Sequence, residues 1–286
     1  MFAASRGDMR PSIPLDRFEV FATGLDHPEG LAFDREGILW AGGEQGQLYR
    51  IDRKGRVKKV ASVGGFNLGV TVSPKQDLFL CNLGKHSLIQ VTRKGKVLRS
   101  WDRAGSYRFR TPNFSVFDSE GNLYFSDSGE WQKNDGYILV LRTNGKIEVF
   151  AGPFAFPNGL SLSADEHTLY IVESTDDAIT ALPIRPDGSA GKPRKFARNL
   201  HRVPDGCGFD DKGNLYVTTY ASDDIYKVTA AGKVSLVAHD PHGTMIASPT
   251  NVAFDGEGYM YFANLSRWHI CRVHTGVKGQ QLAGER

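Results

Sequence analysis

The stretch "FPNGLSLSADEHTLY", residues 156–170, joins a proline, an amide, a glycine and a short apolar run to a polar turn and a second apolar run. Its frame recurs in "HPEGLAFDREGILW" (27–40), "TPNFSVFDSEGNLY" (111–124) and "VPDGCGFDDKGNLY" (203–216). With the residue before the glycine of "PNG" as anchor, six equivalents align: Glu29, Leu68, Asn113, Asn158, Asp205 and Thr250. They are separated by 39, 45, 45, 47 and 45 residues. After each anchor comes a polar turn such as "DREG" or "DDKG", then a second run ("ILWAG", "LFLCN", "LYFSD", "LYIVE", "LYVTT", "MYFAN"). A third run such as "YILVLR" and a weaker fourth such as "IEVFAG" complete the unit.

The runs are aromatic and β-branched and are bounded by Gly, Asp, Asn and Ser, which is strand chemistry. No stretch sustains an apolar 3.6 period over three turns. Four short strands in a repeat of about 40–50 residues is the period of a propeller blade. The expected fold is all-β, a six-bladed β-propeller with four antiparallel strands per blade, forming a single domain over residues 16–284 behind an N-terminal extension, 1–15. A solenoid is the competing architecture, but it needs polar capping repeats, and none is evident. The segment "RFEVFATGL" (17–25) carries the fourth-strand pattern before any first strand, so it is expected to pair with the last blade and hide the open edges. The tail "KGQQLAGER" (278–286) has a similar pattern, which leaves open which end supplies that strand.

The chain has 286 residues and a net charge of +3, enough length for a sizeable core and too little basic excess to suggest a nucleic acid partner. Its densest basic patch, "RKGRVKK" (53–59), reads as a solvated turn between strands. No window holds eighteen apolar residues, so no membrane span is expected, and the first residues lack the apolar region of a secretory signal. Cys81, Cys207 and Cys271 are odd in number and widely spaced, as expected of reduced, buried thiols in a cytoplasmic protein. No pattern speaks to oligomeric state.

In a blade the innermost strand lines the central channel, so all six anchors ring one channel mouth. The frame repeats while the anchor varies, and four of the six are carboxylates or amides. Two carboxylates converging in a partly dry channel repel, so either one is protonated or a cation lies between them. Carboxylates mixed with amide carbonyls suit a hard cation: Ca²⁺ takes about 6–8 oxygens, leaving positions for water and substrate. The bland alternative is that Asn and Asp after Pro are favoured turn residues whose side chains bond nearby backbone. The set lacks His and Cys, which argues against a firm zinc preference, although Zn²⁺, Mn²⁺ or Mg²⁺ are further occupants.

The motifs "PEGLAFD", "PNGLSLSADEHTLYI" and "PDGCGFDDKGNLYV" resemble those of the gluconolactonase and senescence-marker-protein (regucalcin) family of six-bladed propellers, over nearly the whole chain. The resemblance implies a lactonase whose catalytic divalent metal is held by Glu29, Asn158 and Asp205, with Asn113 near metal or substrate. The same donor set is similar to that of diisopropyl fluorophosphatase and the paraoxonases, which implies calcium. Sugar lactonases of the family often read Arg-x-Asn-Asp in blade three. Here "FRTPNFS" displaces Arg110 by one residue and places Phe114 where the Asp would stand, implying a less polar pocket.

Calcium is a weaker acidifier of water than zinc and is better suited to polarising a carbonyl, so a separate base or nucleophile is needed, and Asp205 is the candidate for either role. Substrate contacts are expected from the longer loops at 102–111, 128–137 and 239–249, which offer Arg110, Trp131, His242 and Met245; Tyr220 and Trp268 come from shorter loops. Each aromatic is otherwise explained by blade packing. Asp127 and Glu173, which end second strands near this mouth, have three possible roles: a second metal, support of the ligands, or substrate contact. Three functional classes follow: a metal-dependent hydrolase of a small lactone or ester, a phosphotriesterase-like hydrolase at the same site, and a propeller that only binds.

Overall fold

The computed structural model describes residues 9–281. They form six four-stranded antiparallel sheets, a two-residue hairpin at 103–108 and two short 3₁₀ turns. Blades one to five each use consecutive strands; blade three, for instance, runs Pro112–Phe117, Leu123–Asp127, Gly136–Leu141 and Ile147–Phe154. The first strand of each blade packs against the first strands of both neighbours, and that of blade six, Pro249–Phe254, closes back on that of blade one, Leu31–Phe33. Thr250 Oγ1 donates to the Glu29 carbonyl across this seam at 3.1 Å.

The strand that completes blade six comes from the N-terminal side. Phe18–Ala22 pairs with His269–His274, Phe18 opposite Val273 and Glu19 opposite Arg272. Arg272 Nε reaches Glu19 Oε1 at 2.6 Å and its guanidinium lies 4.8 Å from the Phe21 ring. The tail takes another course. Gln280 donates from its backbone to Phe209 O at 3.0 Å and from its side chain to Leu162 O at 2.9 Å, so the chain crosses the face opposite the anchors. Residues 282–286, the rest of the candidate tail strand, lie outside the described residues, as do 1–8 of the N-terminal extension. Ser12 and Ile13 bond backbone-to-backbone with Leu236 and Val237, so this part of the extension lies along the outer edge of blade five.

The polar turns between first and second strands close on their own first residue. Asp34 accepts from the backbone N–H groups of Glu36 and Ile38, Asp118 from Asn122, Asp210 from Lys212 and Asn214, and Asp255 from Glu257 and Tyr259. Ser73 and Ser163 take the same place in "SPKQD" and "SADEH". These are side-chain-capped turns, which explains the recurring Asp or Ser at the turn start. The core lies between blades, in layers such as Trp40, Leu48, Leu78, Leu80 and Ile89 between blades one and two.

Candidate functional site

The glycine that follows most anchors sets how closely the inner strands approach. A Cβ built on Gly69 would lie 2.4 Å from Asn113 O, on Gly159 2.5 Å from Asp205 O, and on Gly206 2.3 Å from Thr250 O. Neighbouring first strands are thus in backbone contact at the anchor level, and a side chain there would force them apart. In blades two to six the pairing of first with second strand also slips at this point, for example between Pro157 and Leu160 and between Pro204 and Cys207. Such a bulge leaves the anchor outside the ladder and re-aims its side chain.

The result is a cavity of about 390 Å³ whose lining includes Glu29, Asn113, Asn158, Asp205 and Thr250. The four donors are each only 5–6 % exposed. Burial, with the neighbouring Asp205 charge adding to it, pushes the Glu29 carboxyl well above the ordinary carboxylate range. Burial likewise pushes Asp205 up to about 8, although a hydrogen bond from Asn158 opposes the shift. Asn158 Oδ1 and Asp205 Oδ1 are buried with no hydrogen-bond partner among the described residues. Orphaned buried acceptors cost about 1–3 kcal/mol each, more when charged, so their presence side by side calls for a partner outside the chain. Two carboxylates and two amides lining one cavity, with an orphaned oxygen on Asn158 and another on Asp205, fit a hard divalent cation.

The amides are held from behind. Asn113 Nδ2 donates to Ser128 Oγ at 3.1 Å, and Ser128 donates to Pro157 O at 2.8 Å. Asn158 Nδ2 lies 3.4 Å from Ser174 Oγ, which donates to Pro204 O at 2.6 Å. Each serine fixes which end of the amide faces away from the channel and ties that amide to the next anchor strand. Neither serine belongs to the anchor motifs, yet the signal for both is in the repeat. A serine follows the second strand only in "SDS" and "VES", the two blades whose anchor is Asn; Gly43, Leu83, Tyr220 and Leu265 stand there in the others.

Asp127 and Glu173 hold loops. Asp127 accepts from the backbone N–H groups of Arg110 and Thr111 at 2.8 and 2.6 Å and from Tyr107 at 3.1 Å. Glu173 accepts from Ala155 N at 2.9 Å and pairs with Lys195 at 2.6 Å. Both clamp the chain two or three residues before an asparagine anchor, so of their three possible roles the geometry shows support of the donor strands.

Of the expected substrate contacts, Trp131 and Tyr220 line the cavity, and Phe156, Val203, Ala221 and Leu265 join them. Arg110, His242, Met245 and Trp268 are not in its lining. The Arg110 guanidinium pairs with Asp135 Oδ2 at 2.5 Å. The loop from Asp240 carries His242 and Met245, and Met245 packs against the core beside blade six. Trp268 is half exposed and sits 4.6 Å from the His27 ring. Beside it, His27 Nδ1 contacts Asp26 Oδ1 at 2.8 Å and Glu44 Oε2 at 2.7 Å, a partly exposed cluster of metal-ligating side-chain types distinct from the four cavity side chains. A wider hollow on the opposite face includes Asp34, Asp210 and Asp255, whose carboxylates are tied into their own turns.

The chain is 27% identical over 236 residues to a gluconolactonase of Zymomonas mobilis, covering 74% of this chain and 64% of that one. It is 27% identical over 207 residues to the lactonase drp35 of Staphylococcus epidermidis, covering 67% of this chain and 63% of the relative. The aligned part thus spans somewhat less than two thirds of the length of these curated relatives. Among solved structures, the gluconolactonase XC5397 of Xanthomonas campestris superposes with a TM-score of 0.78 at 20% identity, over 96% of this chain and 90% of that one, and so shares the fold. The family model for the SMP-30/gluconolactonase/LRE-like region matches residues 27–263, from just before the first donor to the second strand of blade six, and the chain belongs to that family.

Proposed function

We propose that this protein is a divalent-metal-dependent hydrolase that opens a lactone to a hydroxy acid, with the ion held by Glu29, Asn113, Asn158 and Asp205. The observation that carries this reading is the convergence of two buried carboxylates with the orphaned oxygens of Asn158 and Asp205 at the base of one cavity. The curated lactonases that the chain resembles support the reaction class. Calcium is the first candidate because every donor is a neutral or anionic oxygen, with zinc, manganese and magnesium behind it. When bound, such an ion supplies Lewis-acid polarisation of the substrate carbonyl and offsets the repulsion between the two carboxylates.

The chain's residues supply the rest. Asn113 and Asn158, locked by Ser128 and Ser174, present fixed oxygens that need no reorganisation during reaction. Glu29 serves as a plain ligand. Asp205 acts as base or as nucleophile. As base it takes a proton from water while the water oxygen bonds to the carbonyl carbon; the ring C–O bond then breaks and the departing alkoxide recovers that proton. As nucleophile its carboxylate oxygen attacks the carbonyl carbon, the ring C–O bond breaks and the departing alkoxide takes a proton from water; the hydroxide so formed then cleaves the mixed anhydride, freeing the hydroxy acid and the Asp205 carboxylate.

Cytoplasmic location is part of the proposal, supported by three buried free cysteines. Among the described residues no helix is long and apolar enough to cross a membrane. The partner is a small lactone or ester, with no nucleic acid or membrane. The defining experiment is hydrolysis of a varied lactone and ester panel by the purified protein, before and after EDTA and again after added Ca²⁺. Loss on chelation and recovery with calcium supports the reading; hydrolysis indifferent to EDTA, or none on any member, refutes it.

A further inference from the structure

The walls above the donors differ in kind from the floor. Glu29, Asn113, Asn158 and Asp205 lie at the base, whereas Trp131, Phe156, Val203 and Tyr220 rise on the side of blades three to five, and among the described residues no charged side chain joins them there. Trp131 and Tyr220 remain 49% and 38% exposed although both are large apolar side chains. The Trp131 and Phe156 rings meet edge to face at 4.9 Å. Arg110, three residues before Asn113, is turned onto Asp135.

The backbone places this wall deliberately. Phe156 and Val203 have φ of +52° and +59°, and each directly precedes the proline of a donor motif, Phe156-Pro157-Asn158 and Val203-Pro204-Asp205. His27 and Ser248 do the same before Pro28 and Pro249, at +44° and +47°. A residue before proline is ordinarily extended, and a left-handed conformation is most unfavourable for a bulky or β-branched side chain such as Val203. Such strain persists where the surrounding structure imposes it, commonly at ligand sites. The position two before Asn158 and two before Asp205 is thus a rim position, occupied by Phe and by Val.

We propose that the site selects lactones bearing an apolar alkyl or aryl substituent, seated between the Trp131–Phe156 pair and the Tyr220–Val203 wall, over polyhydroxylated lactones. This rests on the lactonase reading and specifies its substrate class. Polyhydroxylated rings would leave hydroxyls unpaired against this wall, whereas each buried methylene gains transfer free energy.

The test is a series of γ-lactones with straight alkyl substituents from one to six carbons, alongside unsubstituted γ-butyrolactone and δ-gluconolactone, assayed with Ca²⁺. The expected kcat/KM rises about three- to four-fold per methylene over the first few carbons and is lowest for δ-gluconolactone. Trp131→Ala and Phe156→Ala should flatten that slope while far-UV circular dichroism and melting temperature show an intact fold. A second arm needs no turnover: γ-alkyl lactams are titrated into chelated protein by tryptophan fluorescence, with Trp131→Phe as control. Tighter binding with chain length, and loss of the signal in the control, is expected. A slope that is flat or falling in both arms, or a preference for δ-gluconolactone, overturns the inference and leaves the lactonase reading standing. Hydrolysis of no lactone, whatever the lactams do, overturns the lactonase reading, and this inference with it.

Discussion

Asn158 Nδ2 faces Ser174 Oγ at 3.4 Å, and Ser174 in turn donates to the carbonyl of Pro204, the residue before Asp205. One hydroxyl therefore couples an amide donor in blade four to the start of the carboxylate donor strand in blade five. Support of this kind commonly governs metal affinity by about 10- to 100-fold. Ser174→Ala and Ser128→Ala should each weaken Ca²⁺ binding by about that factor, measured by isothermal titration, with little change in the chelated protein's melting temperature. Wild-type affinity in both variants would show the serines to be bystanders.

The two buried carboxylates give the chelated protein a specific pH response. Asp205 stands at about 8 when folded, above its ordinary value of 3.8, because burial disfavours its charge. Between those values the folded chain keeps a proton that the unfolded chain has released, so this group's contribution to stability falls as pH rises. In EDTA, the wild-type melting temperature should fall relative to Asp205→Asn on going from pH 5 to pH 8, and saturating Ca²⁺ should reverse the order at pH 8. A wild-type to variant difference that is constant with pH would contradict the burial argument.

Asp240 works in the opposite sense. Although burial opposes it, the backbone N–H groups of Met245, Ile246, His242 and Thr244, at 2.7 to 3.1 Å, hold its carboxyl down at about 2. The stabilisation is complete above the ordinary value of 3.8 and is lost as pH falls through about 2. Asp240→Ala should cost about 1.5–3 kcal/mol at pH 7 by freeing these donors. Urea unfolding at pH 7 and pH 2.5 checks this: the penalty should shrink at the lower pH.

Gly206 tests the ring itself. Its absent Cβ would stand 2.3 Å from Thr250 O, between two inner strands that cannot part without disturbing the donors. Gly206→Ala should destabilise by about 1–3 kcal/mol or more and lower calcium affinity together. A variant as stable as wild type would mean the inner strands yield easily.

Most of the architecture was legible because its causes are local. Turn-capping Asp and Ser, strand residues and a period near 45 are properties of short stretches, and they located all six inner strands and four polar side chains that meet in one cavity. The ring's closing strand was legible at Phe18–Ala22 from its pattern alone, but choosing it over the tail depended on Arg272 pairing with Glu19, a contact across 253 residues. The walls were harder. Phe156 and Val203 reach the rim through left-handed backbone that no local pattern announces, and Arg110 leaves the cavity lining for Asp135, 25 residues away. Ser128 and Ser174 were visible as letters, and their meaning needed the amides beside them.

The central claim is that four side chains from four blades hold one divalent ion. Its most direct test is calorimetric titration of Ca²⁺ into the chelated protein and into Glu29→Gln and Asp205→Asn. One site per chain in the wild type, lost in both variants along with lactone hydrolysis, is the predicted result. Absence of binding in the wild type, or equal binding and turnover in the variants, would contradict it.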